Sequence, residues 1–85
     1  MTKMRTVLFA EFRSFLQQFG FVEKSHPTAR VFDHPEEGLL AFRLYREDEP
    51  LAPRDLLNTR RFLNLRGILE TDEFDAQLLR ANTPA

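Results

Sequence analysis

Apolar residues recur every three or four positions in the first twenty residues of the chain. This spacing places them on one face of a helix, because an α-helix turns once in about 3.6 residues. Gly20 follows the last of them directly, at the position where a left-handed residue commonly ends a helix. The pattern predicts a helix from about Arg5 to Phe19, with an apolar stripe of Leu8, Phe12, Phe15 and Phe19 that Phe9 and Leu16 widen.

Three short segments then have the composition of β-strands: Phe21–Lys24, Ala29–Asp33 and Leu39–Arg46. The second and third are joined by HPEEG, a tight connection with a proline early and a glycine late. In the third segment, alternation places on one face Leu40, Phe42 and Leu44. The opposite face then carries Leu39, Ala41, Arg43 and Tyr45. The pattern predicts an antiparallel meander with one strongly apolar face.

Two further helices are predicted in the rest of the chain. One begins at Pro53, since proline suits a first helical turn, and ends at Gly67. The other runs from Thr71, as N-cap, to Asn82. Its inward side chains are expected to be Phe74, Leu78 and Leu79. We expect a single domain over residues 1–85, an α+β two-layer sandwich in which helices cover one face of a three-stranded antiparallel sheet and leave the other open.

The composition restricts the kinds of site that the chain can hold. It has 85 residues and no cysteine, which excludes a disulfide framework, a thiolate metal site and a cysteine nucleophile. A cysteine-free domain fits a cytoplasmic setting, and no apolar run is long enough to span a bilayer. The formal net charge of −1 does not favour DNA as a partner. We expect no cofactor and no membrane partner.

Positive charge is nevertheless concentrated in one part of the chain. Residues 54–66 contain one acidic residue and four arginines, namely Arg54, Arg60, Arg61 and Arg66. Acidic clusters precede and follow this segment. Such a pattern is typical of a solvated helix face with counter-charges nearby.

Both histidines lie in one stretch, SHPTARVFDHPEEG, from Ser25 to Gly38. His26 is a candidate general base because imidazole titrates near neutral pH, and the alternative is an ordinary loop residue. His34 precedes a proline, and its expected role is to hydrogen-bond the turn. The spacing of the histidines and the nearby carboxylates matches no zinc pattern, so no metal site is predicted.

Three motifs, and their order along the chain, resemble those of the HicA (YcfA-like) toxin family. They are FGF at Phe19–Phe21, VFDHPEEG at Val31–Gly38 and LAPRDLLNTRRFL at Leu51–Leu63. The resemblance implies a family-like core over about residues 5–69 with a fold like a double-stranded-RNA-binding domain. It also implies cleavage of messenger RNA by a histidine on the second strand, and an antitoxin partner. Aligned on FDHP, that histidine falls on Ala29, which cannot transfer a proton, and His26 lies three residues earlier.

The sequence therefore favours a non-catalytic relative of this family that acts through its open sheet face. Arg43 and Tyr45 are predicted to share that face, where a guanidinium and an aromatic ring suit either a protein interface or RNA. With a net charge of −1, a protein partner or a second copy is favoured over RNA. If RNA is the ligand, the basic helpers are Arg46, Arg60 and Arg61. The alternative function is an mRNA-cleaving toxin that uses His26 as acid and base.

Overall fold

Three antiparallel strands form one open sheet in the computed structural model, which describes residues 6–79. The strands are β1 (Val22–Lys24), β2 (Arg30–His34) and β3 (Gly38–Phe42), in the spatial order β1-β2-β3. The helices are α1 (Phe9–Gln17), α2 (Pro53–Leu65) and α3 (Thr71–Phe74), the last of which continues as a π-helical turn over Asp75–Leu79. The predicted α+β fold with a three-stranded antiparallel sheet is confirmed.

The strand register decides which side chains share a face of the sheet, because side chains alternate along each strand. One face, called the outer sheet face from here on, carries Val22, Lys24, Val31, Asp33, Leu39 and Ala41. The opposite face carries Phe32 and Phe42, which are buried under the helices. The sheet therefore has one face in the core and one face on which no helix of residues 6–79 lies.

Phenylalanine is the commonest residue type in the core between the sheet and the helices. Ring pairs with centroids 5.3–5.9 Å apart join Phe9 to Phe32, Phe12 to Phe42 and Phe15 to Phe74. These distances are typical of favourable aromatic pairs. The helix is shorter than the predicted Arg5–Phe19: Leu8 precedes it, pairs with Pro50 and is exposed, and Arg5 lies outside the described residues. Within α1 the predicted stripe is buried, and Phe19, beyond the end of the helix, packs against the core.

Both long helices end in the same backbone motif. At the end of α1, the Gly20 amide donates to the Gln17 carbonyl (3.2 Å) and the Phe21 amide donates to the Leu16 carbonyl (3.3 Å). The equivalent two bonds close α2 at Gly67, with lengths of 3.1 and 2.9 Å. Both glycines have positive φ, +93° and +70° respectively. These are Schellman motifs, and the helix ends predicted at the two glycines are confirmed.

Replacing Gly20 with alanine is expected to destabilise the fold more than the same change at Gly67. Both substitutions force a β-carbon into left-handed backbone, at about 1–2 kcal/mol. At Gly20 the new β-carbon would also lie 3.1 Å from His34 Nε2, whereas at Gly67 nothing lies within 4 Å. We expect the extra loss at Gly20 to be about 1 kcal/mol in urea unfolding followed by circular dichroism. Equal losses for the two variants would contradict the close contact with His34.

The third strand is shorter than predicted, and this changes where two side chains lie. β3 ends at Phe42, and the Tyr45 amide donates to the Arg43 carbonyl over 2.8 Å, so the chain turns sharply there. The turn interrupts the alternation expected along residues 39–46. As a result Leu44 is 52% exposed and Tyr45 only 2% exposed, the reverse of the prediction. The predicted position of Tyr45 on the open sheet face is therefore wrong.

Tyr45 is buried where its hydroxyl can bond to the start of α2. The hydroxyl donates to Asp55 Oδ2 and accepts from the Ala52 amide at 3.0 Å. Ala52 is the N-cap residue, and it has no side-chain acceptor of its own. In a capping box the carboxylate of the third helical residue accepts directly from the N-cap amide. Here the Tyr45 hydroxyl is inserted between the two groups and stabilises the first turn of α2, which begins at Pro53 as predicted.

The segment that leads into α2 also closes the start of α1. The Phe9 amide donates to the Glu49 carbonyl (2.9 Å), and the Ala10 amide donates to the Glu47 carbonyl (3.0 Å). The amide of Leu8 donates to Glu11 Oε1 over 3.1 Å. These bonds satisfy amides that the start of a helix otherwise leaves unpaired.

The bounds of α3 differ from the prediction. Glu70, and not Thr71, is the N-cap residue. The predicted end at Asn82 lies outside the described residues. The side chains predicted to face inward are buried, namely Phe74, Leu78 and Leu79.

α3 packs on the helical side of the sheet. Phe74 meets the Phe15 ring of α1 at an interplanar angle of 90°. The Arg60 guanidinium of α2 binds both carboxylate oxygens of Asp75, at 2.8 and 3.0 Å. This hydrogen bonding raises the pKa of Arg60. α3 therefore joins α1 and α2, and as far as Leu79 this part of the chain does not cover the outer sheet face.

Candidate binding surfaces

The outer sheet face is apolar apart from two side chains of opposite charge. Val22 and Leu39 are 52% and 57% exposed, and Val31 and Ala41 lie in the row beside them. The charged members are Lys24 on β1 and Asp33 on β2, which occupy diagonal positions in the register. Such neighbours are about 7–8 Å apart. An exposed face of this composition suits contact with another protein surface.

Arg43 contacts Tyr45, but the pair does not lie on the outer sheet face. The Arg43 guanidinium carbon is 3.9 Å from the centroid of the buried Tyr45 ring. Its Nη1 donates to Glu49 Oε2 over 2.7 Å. That hydrogen bond raises the pKa of Arg43, while bonds from the Arg46 amide and from Arg43 lower the pKa of Glu49. Arg43 is therefore held by contacts beyond the end of β3.

A cleft of about 610 Å³ lies beside the end of β1. It is called the basic cleft from here on, and its polar residues are Glu23, Lys24, Ser25, His26, Arg30 and Arg46. Its other lining residues are Ala29, Leu44 and Tyr45. Three of these side chains are cationic at neutral pH and one is a carboxylate. The fold thus gathers positive charge here, although the net charge of the chain is −1.

Arg30 is the fixed cation of the basic cleft. Its Nε donates to the Tyr45 carbonyl (3.0 Å), and its Nη1 donates to Glu23 Oε2 (2.9 Å). The guanidinium carbon lies 4.6 Å from the centroid of the Phe9 ring, within the range of a cation–π contact. Three contacts in different directions hold the guanidinium plane in one orientation.

Glu23 is balanced by two arginines. Besides its bond to Arg30, its Oε1 lies 3.7 Å from Arg13 Nη1. Arg13 also forms a hydrogen-bonded ion pair with Glu47, which raises the pKa of Arg13 and lowers the pKa of Glu47. The carboxylate of the basic cleft is therefore already engaged by neighbouring cations.

His26 lines the basic cleft together with Arg46, whereas Arg43 lines a separate depression. The Thr28 amide donates to His26 Nδ1 over 3.2 Å. Because Nδ1 accepts, the neutral ring carries its proton on Nε2. Within residues 6–79 no carboxylate is hydrogen-bonded to the imidazole. Ala29, the position that aligns with the family's catalytic histidine, lines the same cleft.

His34 has the structural role predicted for it. Its Nδ1 accepts hydrogen bonds from the amides of Glu36 and Glu37, at 3.1 and 3.2 Å. Its ring packs against the Phe21 ring with centroids 5.1 Å apart. The histidine therefore closes the turn between β2 and β3, and its ring is part of the core boundary.

The structure does not bring the predicted arginines together into one surface. Arg60 is bound to Asp75, and Arg61 is exposed on α2. Because α2 packs against the inner side of the sheet, neither residue lies on the outer sheet face. Neither lines the basic cleft beside Arg46.

The residues that sequence reasoning missed are Lys24 and Arg30. Arg30 could have been placed by alternation from Phe32, which puts the two side chains on the same face of β2. The cleft itself could not be predicted from the pattern of apolar and polar residues, because it forms where the loop after Lys24 meets the turn after Phe42.

Within residues 6–79 no group of three histidine or acidic side chains is placed to hold a metal ion. The same residues include no helix with the length and apolarity needed to cross a membrane. No family model, no curated protein and no solved structure matches the chain.

Proposed function

We propose that the chain is a small, non-catalytic interaction module, resembling HicA toxins, whose outer sheet face binds a second copy of the chain. The observation that supports this most strongly is the exposure of Val22 and Leu39 on a sheet face that none of the described helices covers. Burial of that face against another protein would remove apolar surface from water. The same face suits RNA poorly, since its single cation, Lys24, is offset by Asp33.

The charges of the outer sheet face favour a second copy as the occupant. Lys24 and Asp33 are diagonal neighbours of opposite charge. A two-fold axis between them would set each Lys24 against the Asp33 of the other copy, as an isologous interface requires. The apolar side chains on either side would then meet their own counterparts. A face of six residues is smaller than a standard interface, so we expect a weak dimer that depends on protein concentration.

A charge exchange tests this arrangement. We expect Lys24→Asp alone to weaken self-association by about tenfold, because it sets carboxylates against one another across the axis. The double variant Lys24→Asp with Asp33→Lys restores the opposite charges and is expected to recover the dimer. Sedimentation velocity over a range of protein concentrations measures both effects. A double variant as weak as the single one would contradict the two-fold pairing.

Substitutions at two exposed leucines test whether the dimer uses the outer sheet face. Leu39→Arg is expected to abolish the dimer, whereas Leu65→Arg, at an exposed leucine on α2, is expected to leave it unchanged. Circular dichroism checks that both variants fold. Equal loss of the dimer in the two variants would mean that the association does not use the outer sheet face. A wild-type chain that stays monomeric at every protein concentration would leave a different protein as the partner.

The second candidate is an mRNA-cleaving toxin that uses His26 as acid and base and is silenced by an antitoxin. It is favoured by one observation, that His26, Ala29 and Arg46 line the same basic cleft. The histidine would thus act from the loop beside the position where the family carries it. Cleavage of RNA by the purified wild-type chain, lost in His26→Ala, would establish this function and overturn the non-catalytic one.

A further inference from the structure

The side chains of the basic cleft present hydrogen-bond donors almost exclusively. Lys24, Ser25 and Arg46 offer N–H or O–H groups, and His26 offers its Nε2 proton in the neutral tautomer. Arg30 adds Nη2, which makes no hydrogen bond to another residue of the range 6–79. The acceptor that faces them, Glu23, is already engaged by Arg30 and Arg13. A ligand for this cleft must therefore be rich in acceptors.

A ligand with two negative charges would match the charge of the basic cleft. Three cations against one carboxylate leave an excess of positive charge, and a phosphate monoester carries a charge of about −1.5 to −2 near neutral pH. Asp48 competes weakly, since it lies 3.5 Å from Arg46 and both side chains are about 80% exposed, at 81% and 79%. A single carboxylate would use fewer of the donors and less of the charge.

The cleft also has an apolar part and room for more than an inorganic anion. Leu44 is 52% exposed although it is a leucine, and it lines the cleft with Ala29. The volume of about 610 Å³ lies within the range of small-molecule sites, about 300–1,000 Å³. An apolar or flat group attached to the phosphate would cover Leu44 from water.

We propose that the basic cleft binds a small phosphate monoester whose organic part rests against Leu44, with Arg30 and Arg46 as the principal phosphate contacts. Arg30 is held in place before the ligand arrives, so little conformational entropy is lost when its guanidinium binds. Arg46 is exposed and lines the same cleft, so its guanidinium is accessible to the phosphate. This site is separate from the proposed self-association, apart from Lys24, which lies at the boundary of the two surfaces.

The test uses adenosine monophosphate as the probe, with inorganic phosphate and adenosine as its two parts. Calorimetry or amide chemical shifts at low salt are expected to show that adenosine monophosphate binds more tightly than phosphate and that adenosine does not bind. Arg46→Ala is expected to weaken binding by about tenfold. The control Arg61→Ala, at an exposed arginine on α2, is expected to leave it unchanged.

Three outcomes would overturn the proposal. They are no binding of adenosine monophosphate at millimolar concentration, equal binding of adenosine, and equal weakening by Arg46→Ala and Arg61→Ala. Leu44→Ala provides an independent reading, since it is expected to reduce the affinity for adenosine monophosphate and to leave that for inorganic phosphate unchanged. Arg46 and Leu44 lie outside the outer sheet face, so Arg46→Ala and Leu44→Ala are expected to leave the dimer intact. Leu39 does not line the cleft, so Leu39→Arg is expected to leave phosphate binding intact, whereas Lys24→Asp changes both surfaces.

Discussion

Phe9→Ala is expected to lower the free energy of unfolding by about 3–5 kcal/mol. Phe9 is fully buried at the point where α1, the sheet and the segment after β3 meet. Its ring lies 5.9 Å from the Phe32 ring and stacks on Tyr45 at 5.7 Å, and the Arg30 guanidinium covers it. Removing the ring leaves a cavity and takes a partner from each of these side chains. Small domains have about 5–15 kcal/mol in total, so the variant should lose a large part of its stability.

Urea titration followed by far-ultraviolet circular dichroism measures the loss, since the chain has no tryptophan for a fluorescence assay. Phe9→Leu keeps most of the buried volume and should lose about 1–2 kcal/mol. Leu57→Ala, at an exposed leucine on α2, is the matched control and should change stability little. A loss below about 1 kcal/mol for Phe9→Ala would mean that the ring is not the junction of the three elements.

Tyr45→Phe is expected to lower the free energy of unfolding by about 1–3 kcal/mol. The substitution keeps the buried ring and removes only the hydroxyl. The Ala52 amide and the Asp55 carboxylate then lose the group that links them at the start of α2. Asp55→Ala removes the other end of the same link, so the two losses should not add in the double variant. Additive losses in urea titrations would show that the hydroxyl and the carboxylate act independently.

The Tyr45 hydroxyl is expected to make the free energy of unfolding fall at high pH. Burial, and then the hydrogen bond to Asp55, raise the pKa of Tyr45 above its usual value of 10.0, against a smaller lowering by the Ala52 amide. A raised folded-state pKa gives stability that is complete below pH 10 and is lost as the pH rises through the folded-state pKa. Tyr45 is the only tyrosine, so the absorbance of tyrosinate reports it alone. We expect its ionisation above pH 10 to coincide with loss of helix signal, and ionisation near 10 with the helix signal intact would contradict its burial.

Local patterns predicted the elements of this fold well. Each signal acts within a few residues of its own position. These signals are the apolar stripe on α1, Gly20, Gly67 and the proline at the start of α2. The position of Tyr45 could not be predicted in the same way, because it depends on Asp55, ten residues away, and on a turn that breaks the alternation of the strand. The basic cleft was missed for a similar reason. It is built from two loops that come together only in the folded chain.

The hydrogen bonds between the start of α1 and the carbonyls of Glu47 and Glu49 also bear on how the chain folds. Their partners are about 40 positions apart, whereas β2 and β3 are joined by a turn of only a few residues. Closing a short loop loses less chain entropy, so the β2–β3 hairpin can form before the long connection closes. On this argument we expect the first turn of α1 to be completed late, after the transition state. Changes in those bonds should alter the rate of unfolding and leave the rate of folding nearly constant.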